Sequence, residues 1–299
     1  SIGQGAGDAY TTGSRNTAVG YAALDANTTS NDNTGVGYNA LGANTASNNT
    51  AVGRDALASN TTGTQNDAVG AYALDASTTA GDNTAVGYEA LTANTSGSQN
   101  TGVGHRALIS NTTGSGLCSF GVGTLSYNTT GNYNSAFGRL ALTANTTAHD
   151  NTAIGYKSLT ANTTGTRNVG VGNSALGANT TASYNTAVGT YALTASNADN
   201  NTAIGYYALA TDTTGSNNTA VGYDALGDNT EGGHNVAFGR SALSKNIDAD
   251  RNVAIGNYSL ELNTAGNDNT AIGYNALEAN TGGTFNTAVG KDALQVNTT

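Results

Sequence analysis

"NTAVGYDALGDNTEGGHNVAFGRSAL", from Asn218 to Leu243, says nearly the same thing twice. Asn-Thr-Ala-Val-Gly and Ala-Leu are followed, 17 residues on, by Asn-Val-Ala-Phe-Gly and Ala-Leu. The Gly that closes this motif recurs eighteen times, from Gly3 to Gly290. Its spacing is 17 residues except for two steps of 16, Gly37 to Gly53 and Gly189 to Gly205. The consensus reads N-T-A-V-G-Y-x-A-L-x-A-N-T-T-G-x-x. A unit this short cannot hold a helix-turn-helix repeat, which needs about 33 residues. Gly and Asn also recur too often for helices.

"TAVG" reads as a short β-branched strand, "ALxA" as a second short segment, and "NTTGxx" as a turn, because Asn bonds locally to backbone and Gly accepts positive φ. Two or three short strands per coil, stacked in parallel on the next coil, make an all-β parallel β-solenoid, or β-roll, of about 18 coils. At about 4.8 Å per coil the expected length is on the order of 85 Å.

The columns of the repeat carry the packing. Leu follows the marker Gly by four residues in every repeat but the first, from Leu24 to Leu294. The residue before that Gly is always Val, Ile or Phe, as at Val19, Val52, Ile154, Val188 and Phe238. Both columns are expected to stack as apolar ladders and to bury a dry seam, at roughly 1.5–3 kcal/mol per buried side chain. Asn opens the motif from Asn16 to Asn286, with Leu117 as the exception. An amide held at one corner of every coil predicts a stacked Asn ladder that satisfies turn backbone.

The totals exclude several classes of function. The 299 residues include 41 Gly and no Pro, Met or Trp, with a net charge of −10 and no basic cluster. Nucleic acid and anionic membrane surfaces are therefore poor partners, because both need Lys and Arg. No apolar run approaches the roughly 20 residues of a membrane span. The chain starts and stops within a repeat, so it reads as residues 1–299 of one continuous solenoid cut from a longer fibre. The two short steps lie nine coils apart, and Arg15 and Arg167 share that offset, which suggests a duplicated nine-coil super-repeat with the lost residue taken from a loop.

A catalytic reading finds no footing in the sequence. His105, His149 and His234 fall in three different columns, several coils apart. Cys118 stands where Thr is usual and reads as a small buried or semi-buried thiol rather than a nucleophile. Asp32, Asp82, Asp150 and Asp268 precede the Asn column, but most coils lack an acid there. The expectation is a protein that is not an enzyme, with no cofactor and no metal site. N-x-S/T occurs at Asn27, Asn60, Asn94, Asn111, Asn128, Asn145, Asn162, Asn179 and Asn297; these read as glycan acceptors in a secreted eukaryotic protein and as bare turn residues in a bacterial or phage one.

The motif, as "NTAVGYAAL" from Asn16 and "NTAIGYNAL" from Asn269, resembles the head repeats of trimeric autotransporter adhesins, the YadA-like family, and similar repeats of phage tail fibres. The loop "ANTTG" is about three residues longer than in that family. The resemblance implies a β-roll, a trimeric fibre and an adhesive or spacer role at a cell surface or on a virion. In "TAVG", Thr and Val point one way and Ala the other. Val inward gives a well-packed monomer with a flat Ala face. Ala inward leaves the Val/Ile/Phe column outside, where it demands partners; the resemblance favours this arrangement. The residue after the marker Gly is Tyr at Tyr21, Tyr88, Tyr156 and Tyr223, among others, and Arg, Lys or His elsewhere. Such mixing marks a rim position suited to packing subunits or stacking on sugars. The candidate interface is thus Val19, Val52, Ile154, Val188 and Phe238 with Tyr21, Tyr88, Tyr156 and Tyr223. The functional expectation is an extracellular structural or adhesive fibre segment, a homo-oligomer with host surface or glycans as further partners. A self-assembling extracellular filament and an ice-binding solenoid are the alternatives.

Overall fold

The computed structural model describes residues 1–297. The chain forms two compact units, Ser1–Asp150 and Asn151–Thr299. Each is a parallel β-solenoid with one three-residue strand per coil. The first unit holds β1 (Thr17–Val19), β2 (Thr34–Val36), β3 (Thr50–Val52), β4 (Asp67–Val69), β5 (Thr84–Val86), β6 (Thr101–Val103), β7 (Cys118–Phe120) and β8 (Ser135–Phe137). The second holds β9 (Thr152–Ile154), β10 (Val169–Val171), β11 (Thr186–Val188), β12 (Thr202–Ile204), β13 (Thr219–Val221), β14 (Val236–Phe238), β15 (Val253–Ile255), β16 (Thr270–Ile272) and β17 (Thr287–Val289). Within each unit, every strand pairs with the equivalent of the next coil, as Thr17 with Thr34 and Val19 with Val36. Among the described residues there are seventeen strands; the first repeat adds only an isolated bridge, Ile2 to Val19.

The sequence pattern leaves open which face of "TAV" is inside, and the structure decides it. The middle residue is buried in every strand, and Thr and Val face outward. This corrects the expectation that Val and Leu share a dry seam and gives the Ala-inward arrangement that the resemblance favoured. The core is Leu with Ala: Leu24, Ala23 and Ala18 are buried in the first unit, Leu159, Ala153 and Ala175 in the second. The reason is room. A Cβ at Gly35 would lie 3.2 Å from Leu24 Cγ, so each Leu packs down on the small residue of the following coil and leaves space for little more than a methyl. Where Ala gives way to Ser158, the facing residue of the next coil shrinks to Gly170, whose carbonyl accepts a 2.8 Å hydrogen bond from Ser158 Oγ.

The second expected strand does not form. "ALxA" is turn structure in which alternate residues are left-handed: Ala22 and Leu24 have φ of 52° and 53°, Ser174 and Leu176 both 53°. A left-handed L-residue costs roughly 1–2 kcal/mol. Burial of a Leu side chain, at roughly 1.5–3 kcal/mol, offsets that cost coil by coil. The turn still bonds to its neighbour: Leu24 N–H donates to Ala40 O at 3.0 Å, and Leu176 N–H to Ala192 O at 3.1 Å. The marker Gly needs its identity twice over. At Gly222 φ is +138°, and a Cβ would run into the carbonyl of Gly239 on the next coil.

Two amide ladders complete the interior. In the first, Asn83 N–H donates to Asn66 Oδ1 at 3.1 Å, while Asn83 Nδ2 donates to Gly97 O at 3.0 Å. Asn218 does the same with Asn201 Oδ1 and Gly232 O, both at 2.8 Å. The second ladder is built from the loop Asn column. Asn111 Nδ2 donates to Asn94 Oδ1 and to Gly114 O, and Asn246 Nδ2 to Asn229 Oδ1 and Ala249 O. These amides are fully buried, and each satisfies backbone that would otherwise go unpaired.

The 16-residue steps leave the strand register intact, Thr34 on Thr50 and Thr186 on Thr202. The missing residue comes out of the loop between the two ladders. Asn44 Nδ2 reaches the carbonyl two residues on, at Ala46, where Asn27 reaches three on, to Ser30. In the second unit Ala198 N–H donates to Ser196 Oγ two residues back, where Gly215 N–H donates to Asp212 Oδ1 three back.

Candidate interaction surface

Because Ala is inside, every strand offers its first and third side chains to solvent. The third forms a rank of Val, Ile and Phe. Val52, Ile154, Val188 and Phe238 are exposed, from 36% for Val188 to 55% for Phe238, and Val19 is half-buried. Among the described residues, Asp67 is the one charged residue at an outward strand position. The chain's charge of −10 is therefore carried by turns and loops rather than by this face. Phe120 and Phe137 stack at 5.1 Å between ring centroids. Cys118 lies half-buried on the same face, and burial pushes its thiol pKa up, which holds it in the unreactive form.

Two residues beyond the Val rank stands the Tyr rank. Tyr21, Tyr88, Tyr156 and Tyr223 are all exposed. Tyr21 stacks on Tyr38 at 5.3 Å, Tyr88 on His105 at 5.6 Å and Tyr223 on Tyr206 at 5.6 Å. Rings stacked this way cover one another's faces and turn their edges to solvent, so a stacked pair offers a sugar ring no inner face.

Sequence reasoning missed the next column, where Tyr72, Tyr191, Tyr207 and Tyr258 complete these clusters. Tyr72 meets Tyr88 edge-on at 6.1 Å, and Arg54 lies over both Tyr38 and Tyr72. Arg240 likewise bridges Tyr223 and Tyr258. Tyr206 and Tyr207 lie 4.5 Å apart, with Tyr191 beside both. Neighbouring tyrosines and burial raise the Tyr206 pKa, with burial the larger cause. The signal was present in the sequence: several of the 15 Tyr fall outside the rank that was read.

The remaining candidates do not converge. His105 stacks on Tyr88, and His149 Nδ1 accepts a hydrogen bond from the Asn132 N–H at 3.0 Å. Among the described residues no three His, Cys, Asp or Glu side chains group as metal ligands, and no helix is long and apolar enough to cross a membrane. Asp32 and Asp268 form bidentate pairs with Arg15 and Arg251 of the preceding coil, which holds both carboxyls below the usual range. The N-x-S/T asparagines from Asn27 to Asn179 are buried members of the second ladder, so the folded chain withholds their amides from any modifying enzyme. No family model and no curated protein matches the chain.

Proposed function

We propose that the chain is a non-enzymatic structural segment of an extracellular fibre, and that its copies associate through the Val/Ile/Phe and Tyr ranks. One observation carries the reading. A nearly charge-free apolar rank runs along the strands of each unit, on coils whose interior is already filled by Leu, Ala and Asn. The coil does not need those side chains for its own core, and an apolar stripe of this kind is a liability on an isolated molecule. Three copies is the number that the resemblance to YadA-like heads implies, and the cell surface or a virion is the matching location. Ice binding wants unbroken ranks of Thr, but the Thr column of the same face is interrupted at Asp67, Cys118, Ser135, Val169, Val236 and Val253.

The test is sedimentation velocity with far-ultraviolet circular dichroism on the parent chain and on a Val188→Asp, Ile204→Asp double variant. The parent is expected to sediment as an oligomer. The variant should be monomeric with an unchanged spectrum, since both side chains point away from the core. A parent chain that stays monomeric at every concentration overturns the proposal.

A further inference from the structure

The column two residues beyond the marker Gly holds a side chain of substance in most coils: Tyr72, Glu89, Arg106 and Leu140 are examples. At Gly123 that side chain is missing. The rank beside it is also reduced, to Val122 where Tyr88 and His105 stand in preceding coils. The result is a recess of about 430 Å³, floored by Gly123 and Val122 and walled by Ile109, Leu140, His105 and Arg106. Its volume falls within the range of small-molecule sites, roughly 300–1,000 Å³.

The same chain shows what fills this place when it is occupied. At Tyr72 the ring lies edge-on to Tyr88 and beneath the Arg54 guanidinium, 5.6 Å from its centroid. Tyr258 repeats the arrangement between Tyr274 and Arg240. At Gly123 an aromatic ring from His105 and a guanidinium from Arg106 also line the space, both from the preceding coil rather than one from each side, and the central ring is gone.

The rim supplies polar contacts. Ser126 Oγ donates to Arg106 O at 3.3 Å and Thr143 Oγ1 to Gly123 O at 3.1 Å. Both hydroxyl oxygens keep lone pairs that can accept an O–H. The positive charge of Arg106 is matched by Glu89, whose carboxylate accepts from Nε at 2.7 Å, so the recess asks for a neutral guest rather than an anion.

We propose that this recess binds a small neutral aromatic alcohol of one or two rings, which takes the place that a tyrosine side chain occupies in other coils. The ring would lie against His105 and Arg106 with its apolar edge on Ile109, Val122 and Leu140, and its hydroxyl would donate to Ser126 or Thr143. His105 and Val122 belong to the Tyr rank, so the recess borders the face through which copies are proposed to associate.

The probe is 2-naphthol, whose fluorescence is excited at wavelengths longer than the 15 Tyr absorb, in a chain that has no Trp. The whole chain is titrated with it, and amide chemical shifts locate the contact. The titration is repeated on the Val188→Asp, Ile204→Asp variant to separate this reading from that of association between copies. Saturable binding with a dissociation constant in the ~1 mM range or tighter is expected, with shifts centred on Gly123. A Gly123→Tyr variant fills the recess with the chain's own ring. The backbone has precedent, since Tyr72 and Tyr258 take φ of 60° and 61° where Gly123 takes 68°, and a Cβ there asks only the flexible end of Leu140, 3.0 Å away, to give way. An unchanged circular dichroism spectrum checks this, and binding to the variant should weaken at least about tenfold, roughly 1.4 kcal/mol. N-acetyltyrosinamide serves as the competitor. If it binds more tightly than 2-naphthol, the site takes a tyrosine from a polypeptide and the small-molecule proposal fails. It fails equally if the parent chain shows no saturation, or if Gly123→Tyr binds as the parent does.

Discussion

Replacing Asp212 by Asn should remove a pH-dependent weakness from the second unit. Asp212 is fully buried in the loop ladder, at a place that Asn fills in most coils. It accepts hydrogen bonds from Ser196 Oγ at 2.8 Å, Asn229 Nδ2 at 2.9 Å and Gly215 N–H at 3.1 Å. Each of these favours the carboxylate. Burial outweighs them and pushes the pKa from 3.8 up to about 7. The folded chain therefore holds this proton more tightly than the unfolded chain does. Stabilisation from the proton is complete below about pH 4, falls through the interval up to about pH 7, and is gone above it. A shift of about three units corresponds to roughly 4 kcal/mol, of which about 2.5 kcal/mol is lost between pH 5 and pH 8. Asn keeps the acceptor, adds the donor that the other ladder amides have, and does not titrate. The stability difference between Asp212→Asn and the parent should thus grow with pH, from small at pH 4 to several kcal/mol at pH 8. Denaturant titrations of both proteins at pH 4, 5, 6.5 and 8 measure it, and the other titrating groups cancel in the difference. Hydrogen exchange should place the change in the coils around Ser196 and Asn229, because coils couple to their neighbours. A difference that stays flat across this range, or a variant weaker than the parent at pH 8, would refute the assignment.

Three further substitutions probe the interior. Leu159→Ala should cost about 2–5 kcal/mol, and exchange should quicken within a few coils; uniform quickening along the chain would contradict nearest-neighbour stacking. Gly222→Ala combines an unfavourable φ with a collision against the Gly239 carbonyl, so we expect a loss of at least about 3 kcal/mol in thermal unfolding, and a change under 1 kcal/mol would show that the coil spacing yields. Ser77→Asn should stabilise by about 1–2 kcal/mol, because Asn60 Oδ1 and Ser77 Oγ are both buried without a hydrogen-bond partner where the second ladder is interrupted; a lower melting temperature would count against it.

The Leu column and the Asn column were legible because each is a single residue type recurring at one place, and both lie in the interior as read, apart from Leu294 in the last repeat. The orientation of "TAV" was not legible. Alternation assigns Ala18 and Val19 to opposite faces without saying which is inside, and the bulkier residue is the natural choice for a core. What decides it is the clearance above Leu24, a distance between coils that no single repeat encodes. The "ALxA" segment misled for a different reason. Local propensity disfavours a left-handed Leu, and the conformation is imposed by burial at Leu24 and its counterparts. Of the candidate interface, the exposure of Val52, Ile154, Val188 and Phe238 follows from that same orientation. Tyr72, Tyr191, Tyr207 and Tyr258 were passed over because their column holds too many residue types to register as a rank.

The first amide ladder has a sense of direction. Each Asn offers its Oδ1 to the backbone N–H at the same corner one coil further along, as Asn66 does for Asn83 and Asn201 for Asn218; Leu117 receives such a bond from Asn100 and has no amide to pass on. Away from Leu117, a coil thus receives on one side and gives on the other, and both fittings are the same from one coil to the next. Excising or duplicating a whole 17-residue module rejoins matching fittings and leaves no donor stranded. Losing part of a module does not, unless the cut falls in the loop that the 16-residue steps have already shortened. Within each unit, the natural currency of mutation is therefore the module, and length can drift by whole modules while the chemistry of every junction stays the same.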